Sequence, residues 1–268
     1  MLSGATRLVG IIGNPVSHSL SPQMQNAAFE AIGLDWAYVP LRVDAERLGE
    51  AVRGLVAFDF AGANVTIPHK TSVLAFCDEV DEVARRAASV NTLVVREGRV
   101  HGSSTDGLAV TGAVDAAGAH VLVLGAGGSA QAVATALVEA GAEGLTVAAR
   151  RTEAARALAE HVLRIFPGRD VRAADWPPDT DAATILVNAT PLKEELAVEP
   201  QAGQQVVDLA YLPDGRQTAL VAAARAAGCP VVVDGLEVLV RQGAASFERW
   251  TGLPAPIDVM RAAVSRLT

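Results

Sequence analysis

Two stretches of this chain carry residue types in an order that can hold a dinucleotide. Gly125-Ala126-Gly127-Gly128-Ser129-Ala130 follows the apolar run VLVL and opens the helical pattern QAVATALVEA, so a G-x-G-x-x-G/A spacing sits on a strand, a turn and a helix start. In that order Gly125 permits the tight turn, Gly127 lets the backbone approach a pyrophosphate and Ala130 allows close helix–sheet packing. Gly128 and Ser129 open the helix, whose start supplies N–H groups and positive potential. A tight turn without ligand is the alternative. About 20 residues further on, NAD-binding chains commonly place an acid for the ribose hydroxyls. Here LTVAA runs instead into Arg150-Arg151-Thr152. Two guanidiniums and a hydroxyl suit a 2′-phosphate through charge-assisted bonds, which favours NADP over NAD; a merely solvated arginine pair is the plainer reading.

A second group of polar residues is suggestive only in combination. Ser19 and Ser21, in HSLSP after the first apolar run, could aim two hydroxyls at one carboxylate beside a helix start. Capping of that helix explains Ser21 alone. Asn64 and Thr66, in NVTIPHK, share one side of a strand, with Lys70 just beyond Pro68. Taken singly, Lys70 reads as a surface lysine, and Asn91 in SVNTL and Asp106 in STDG read as turn or cap residues.

The elements that must position these residues follow from periodicity. LVGIIG, WAYVPLRV and GANVTI alternate with helical patterns over residues 22–32 and 45–56, the mark of a mostly parallel sheet flanked by helices. Ser21 and Asp44 stand where N-caps belong, with Pro22 in the first turn. A second series, VLVL, LTVAA, ATILVNA, QVVDLA and PVVVD, consists of short continuous apolar runs, as expected where helices cover both faces. Helical spacing then fills residues 236–250 and 257–267. The expected fold class is therefore α/β with two α/β domains, a Rossmann-type doubly wound domain following the first, and the boundary near Asp106. Ligands in such folds gather at the ends of parallel strands.

Composition narrows the partners. The 268 residues are 50% hydrophobic, enough for proper cores, and the formal charge of −8 argues against nucleic acid. Cys77 and Cys229 offer neither a zinc spacing nor a disulfide framework, so no metal is expected and a reducing cytoplasm fits. No apolar run has signal-peptide or membrane-spanning character.

From end to end the sequence resembles the shikimate dehydrogenase family. The opening G-x-P-x-x-H-S-x-S-P is matched by Gly13, Pro15, His18, Ser19, Ser21 and Pro22, and N-V-T-x-P-x-K by Asn64 to Lys70. V-N-T stands at Val90 to Thr92, T-D-G at Thr105 to Gly107 and G-A-G-G-x-A at Gly125 to Ala130. Asn188-Ala189-Thr190-Pro191, Asp208 with Tyr211 and Pro213, and a last segment with Gln242, Phe247 and Trp250-Thr251-Gly252 complete the likeness.

The resemblance implies a substrate domain over 1–106 joined by 236–268, and an NADP domain over 107–235. It implies Lys70 and Asp106 as a catalytic dyad, Ser19, Ser21 and Tyr211 around a substrate carboxylate, and Thr66, Asn91 and Gln242 on ring hydroxyls. Gly125 to Ala130, Arg150, Arg151, Thr152, Asn188, Thr190 and Gly235 would meet the cofactor. The implied reaction is NADP-dependent reduction of 3-dehydroshikimate to shikimate, in aromatic amino acid biosynthesis. Quinate or aminoshikimate dehydrogenation and a catalytically weak nucleotide-sensing homologue are the competing readings. Ser104, Gln131, Arg150, Lys193 and Glu237 depart from the family pattern. The oligomeric state is open, with a homodimer among the options.

Overall fold

The computed structural model describes residues 2–265. The chain divides into two compact units, one formed by residues 2–105 with 239–265 and the other by residues 106–238.

In the first unit the chain runs β1 (Arg7–Gly13), α1 (Ser21–Ala31), β2 (Trp36–Arg42), α2 (Leu48–Ala57), β3 (Gly62–Val65), β4 (Glu79–Val80), α3 (Glu82–Ala87), β5 (Thr92–Arg96) and β6 (Arg99–Ser103). Its sheet has the order β2-β1-β3-β5-β6-β4. β1, β2 and β3 are parallel, as the alternation of runs and helices predicts, whereas β5 is antiparallel to both β3 and β6. The β5–β6 hairpin is not among the expected strands. Its turn is Glu97-Gly98, both at positive φ (53° and 72°), the conformation whose twist suits a two-residue hairpin. VVREGRV carries that signal in sequence.

The two expected caps differ in detail. α1 begins at Ser21 with Leu20 in the cap position and no side-chain cap; the Ser21 N–H is taken by Ser19 Oγ at 3.2 Å. Asp44 precedes a short 3₁₀ turn and accepts from Asn14 Nδ2 at 2.8 Å instead of capping.

The second unit contains α4 (Asp106–Thr111), β7 (His120–Leu124), α5 (Gly128–Glu139), β8 (Gly144–Ala148), α6 (Thr152–Ile165), β9 (Asp170–Ala174), β10 (Ile185–Asn188), β11 (Gln205–Asp208), α7 (Ala219–Ala226) and β12 (Val231–Val233). The order β12-β11-β10-β7-β8-β9, parallel throughout, is the doubly wound 3-2-1-4-5-6 arrangement. Side chains of one parity, Val121, Val123, Leu145, Val147, Ile185 and Val187, join one core with α4, α5 and α6. Those of the other parity, Leu122, Leu124, Ala148, Leu186 and Val206, join a second core with α7. Both faces are covered, which is why the runs are continuously apolar instead of alternating.

α8 (Gly235–Thr251) and α9 (Ile257–Ser265) follow. Residues 266 and 267 of the expected last helix lie outside the described residues. From Leu239 onward the chain packs on the first unit: Phe247 stacks on Phe29 at 5.3 Å, and Trp250 Nε1 donates to Leu93 O at 2.9 Å. That close fit rests on Gly62, where an added Cβ would lie 2.1 Å from Leu93 O and 2.6 Å from Trp250 Nε1. Gly62→Ala is expected to destabilise the protein by about 1–3 kcal/mol through overpacking. Gly54→Ala in α2, where nothing lies within 4 Å, should be neutral or stabilising. Denaturant midpoints of the two variants, measured side by side, check both.

Candidate functional site

In the doubly wound unit the chain reverses its winding between β7 and β10, the switch point where ligands bind in such sheets. The loops leaving these strands meet there. Ala189 N–H donates to Leu124 O and Gly125 N–H to Ala148 O, both at 2.8 Å. Gly125 has φ +109° and faces Ala189 O at 2.8 Å from a hypothetical Cβ, so conformation and sterics both demand glycine.

Gly127 is different. It caps α5 with φ −84° and ψ −177°, a backbone open to any residue, and nothing lies within 4 Å of an added Cβ. The fold itself gives no reason for glycine here. A Cβ would instead occupy the space in front of the helix start, where a pyrophosphate needs to reach backbone N–H groups. The residues present therefore fit a dinucleotide.

Beyond β8, Arg150 and Arg151 are exposed, and neither guanidinium has an ion-pair partner among the described residues. Arg151 precedes α6, with Thr152 as its first residue. Two unneutralised cations and a hydroxyl at a helix start form an anion-seeking corner.

Asn188 and Thr190 serve the loop directly. Asn188 Nδ2 donates to Asp208 Oδ1 at 2.8 Å, while its Oδ1 accepts from Thr190 N–H at 3.0 Å and Thr190 Oγ1 at 2.6 Å. Asp208 also accepts from Ala210 N–H and Thr218 Oγ1. Burial pushes the Asp208 carboxyl up, against the lowering effect of these hydrogen bonds. Gly235 has a packing reason, since an added Cβ would lie 2.2 Å from Ala210 O. Tyr211 carries Lys193 Nζ over its ring at 5.7 Å, which gives that departure from the family pattern a partner.

In the first unit the ends of β1 and β3 bring together several expected residues. Asn14 N–H donates to Ile67 O at 2.9 Å, and Gly13 leaves room for the Thr66 methyl, which would lie 2.3 Å from an added Cβ. β3 ends at Val65, so Thr66 lies just past the strand on which it was expected. The hydroxyls of Ser21, the first residue of α1, and of Thr66, just past β3, have no hydrogen-bond partner among the described residues. Lys70 O accepts from Val90 N–H at 2.8 Å, which fixes the Lys70 backbone next to Asn91.

The Asn91 amide is oriented without ambiguity. Its Oδ1 accepts from Thr105 N–H at 2.9 Å, while its Nδ2 donates to Thr105 Oγ1 at 2.8 Å and to Gln242 Oε1 at 3.3 Å. Asp106, the residue after Thr105, is buried and opens α4 in the second unit.

The chain matches three family models: "Shikimate dehydrogenase substrate binding domain" over residues 11–93, "Shikimate / quinate 5-dehydrogenase" over 108–210 and "Shikimate 5'-dehydrogenase C-terminal domain" over 235–264. The shikimate dehydrogenase (NADP(+)) of Anaeromyxobacter dehalogenans (strain 2CP-C) is 44% identical over 280 residues, spanning 99% of each chain. This chain belongs to the shikimate dehydrogenase family. Among solved structures, a shikimate dehydrogenase in complex with NADP+ superposes with a TM-score of 0.92 at 33% identity, over 100% of this chain and 98% of that one. The shikimate 5-dehydrogenase of Thermus thermophilus, in complex with NADP(H) and shikimate, does so with a TM-score of 0.84 at 35% identity, over 98% and 100%.

Against that family pattern, the residues that sequence reasoning missed are Tyr38 and Ser246, which bond to Asn64 and Thr105 in the buried interior of the first unit, while Thr92, noted only as the end of V-N-T, bonds to Asn91. Nothing local to Tyr38 or Ser246 marks them. Among the described residues no His/Cys/Asp/Glu cluster could hold a metal, and no helix is long and apolar enough to cross a membrane.

Proposed function

We propose that the protein catalyses the NADP-dependent interconversion of 3-dehydroshikimate and shikimate. The full-length match to a shikimate dehydrogenase (NADP(+)) carries this reading. Residues 2–105 with 239–265 form the substrate domain and residues 106–238 the cofactor domain.

Bound reduced NADP would supply a hydride to the ring carbonyl carbon. As the carbonyl oxygen gains charge, the Lys70 ammonium stabilises it and delivers the proton, while Asp106 orients Lys70 and accepts from a neighbouring hydroxyl. Ser19 and Ser21, with Tyr211, hold the carboxylate, and Thr66, Asn91 and Gln242 hold the ring hydroxyls. Residues 125–130 receive the pyrophosphate, and Arg150, Arg151 and Thr152 receive the 2′-phosphate. Asn188 and Thr190 act through the shape of their loop, and Gly235 through close backbone packing.

Such an enzyme works in a reducing cytoplasm, where the free Cys77 and Cys229 stay thiols. Light scattering on the purified chain decides between monomer and homodimer. The functional test is reduction of NADP+ by shikimate, followed by nicotinamide absorbance; no reaction sinks the assignment. The family model that also names quinate gives the second reading, and faster turnover with quinate would favour it.

Carboxylate recognition gives a separate prediction. Ser19→Ala and Ser21→Ala should each raise KM for shikimate by a factor equivalent to roughly 1–2 kcal/mol, because each removes one hydroxyl from a charged group. Steady-state kinetics of both single variants and the double variant measure this. A double variant with parental KM places the carboxylate elsewhere.

A further inference from the structure

We propose that Ser246 is a positioning residue: through a buried hydroxyl junction it sets the Asn91–Gln242 amide pair that binds the substrate ring. The inference rests on the functional reading above and adds a residue that it does not contain.

Ser246 lies in α8, one turn after Gln242, and is completely buried. Its Oγ donates to Gln242 O at 3.0 Å and accepts from Asn64 Nδ2 at 3.0 Å. It also lies 2.8 Å from Thr92 Oγ1 and 3.4 Å from Thr105 Oγ1. One hydroxyl thus ties the helix that carries Gln242 to β3, to β5 and to the residue before Asp106. Asn64 is held from its far side by Tyr38, whose hydroxyl donates to Asn64 Oδ1 at 2.8 Å. Thr92 Oγ1 lies 3.0 Å from Asn91 Oδ1 and completes the path to the substrate-facing amide.

These bonds determine which contacts are available for exchange. The Asn91 Oδ1 is occupied by the Thr105 N–H, and one Nδ2 hydrogen by Thr105 Oγ1. Of these three bonds, the one from Asn91 Nδ2 to Gln242 Oε1 is the longest, at 3.3 Å. That link is the one a ring hydroxyl can replace or bridge at least cost. Its length depends on how α8 is seated against β5, and Ser246, one turn from Gln242, makes a polar bond from α8 to Thr92 beside Asn91. Without the hydroxyl, Asn64 and Thr92 keep their bonds to Asn91 and to each other but lose those that tie them to α8. With that polar tie gone, α8 is no longer pinned to β3 and β5 at this point, and Gln242 can shift relative to Asn91.

Ser246→Ala is expected to raise KM for shikimate about tenfold, with KM for NADP and kcat changed less than about twofold. Thr92→Val, nearly isosteric, removes the adjoining hydroxyl and should shift the same constant in the same direction; it carries the test if Ser246→Ala does not fold. Ser246→Thr, which keeps a hydroxyl, should restore most of the affinity. A folded Ser246→Ala or Thr92→Val variant with parental KM for shikimate overturns the proposal, as does an equal loss in kcat and in both KM values. A parent that fails to turn over shikimate overturns the functional reading and this proposal together, whereas an active parent with unaffected variants overturns the positioning role alone.

Discussion

Lys70→Ala is expected to lower kcat by about two to four orders of magnitude while leaving NADP affinity unchanged. The substitution removes the group that meets the developing alkoxide and supplies its proton, and an alanine offers neither charge nor donor. The backbone should stay in place, because Lys70 O is held by Val90 N–H at 2.8 Å and Val73 N–H donates to His69 O at 2.9 Å just beyond it. The loss then reports on chemistry instead of folding. Lys70 also lies in the first unit, whereas the glycine turn and the arginine pair lie in the second. Parallel measurement of kcat and of NADP affinity by fluorescence titration checks the expectation. Near-normal kcat in a folded variant would remove Lys70 from the reaction and with it the assignment.

The second large effect concerns cofactor choice. Replacing both Arg150 and Arg151 by Ala should reduce kcat/KM with NADP by roughly tenfold to a hundredfold, as expected for losing charge-assisted bonds to a phosphate, with NAD nearly unaffected. Both side chains are exposed, which places the effect below that of a buried pair. For the same reason the parental preference for NADP should shrink as ionic strength rises and screening shortens the reach of the guanidiniums. Initial rates with both cofactors over a salt series read the two effects. A parent that prefers NAD, or a double variant that loses equally with both cofactors, rules out the arginine pair as the phosphate site.

The doubly wound unit is legible in the sequence because its signals are local. VLVL followed by G-A-G-G-S-A is a strand, turn and helix start whatever surrounds it, and short continuous apolar runs imply a sheet covered on both faces. Arg150 and Arg151 are equally visible, since their position relative to the glycine turn is set by one helix and one strand. The β5–β6 hairpin escapes a reading that attends to what Asn91 and Asp106 could do, although the Glu97-Gly98 turn marks it. Glycines are only partly legible. Gly125 and Gly127 look alike in sequence, yet the fold requires the first and leaves the second to a ligand.

By itself, then, the sequence determined the α/β class, the dinucleotide turn and the cationic strand end, because covalent spacing and side-chain period carry that information, whereas Lys70, Asn91, Asp106 and Gln242 became candidates only through the resemblance of the whole motif order to the family. Only the tertiary structure decided what holds those side chains. Asn91 and Gln242 meet across 151 residues of chain, and Asn64 reaches Ser246 across 182. Asn188, expected as a cofactor contact, has its amide engaged by Asp208 and Thr190. The reason is that a buried polar group must find a partner wherever folding places one, and the partner's identity depends on strand order and helix seating. No spacing along the chain encodes that choice.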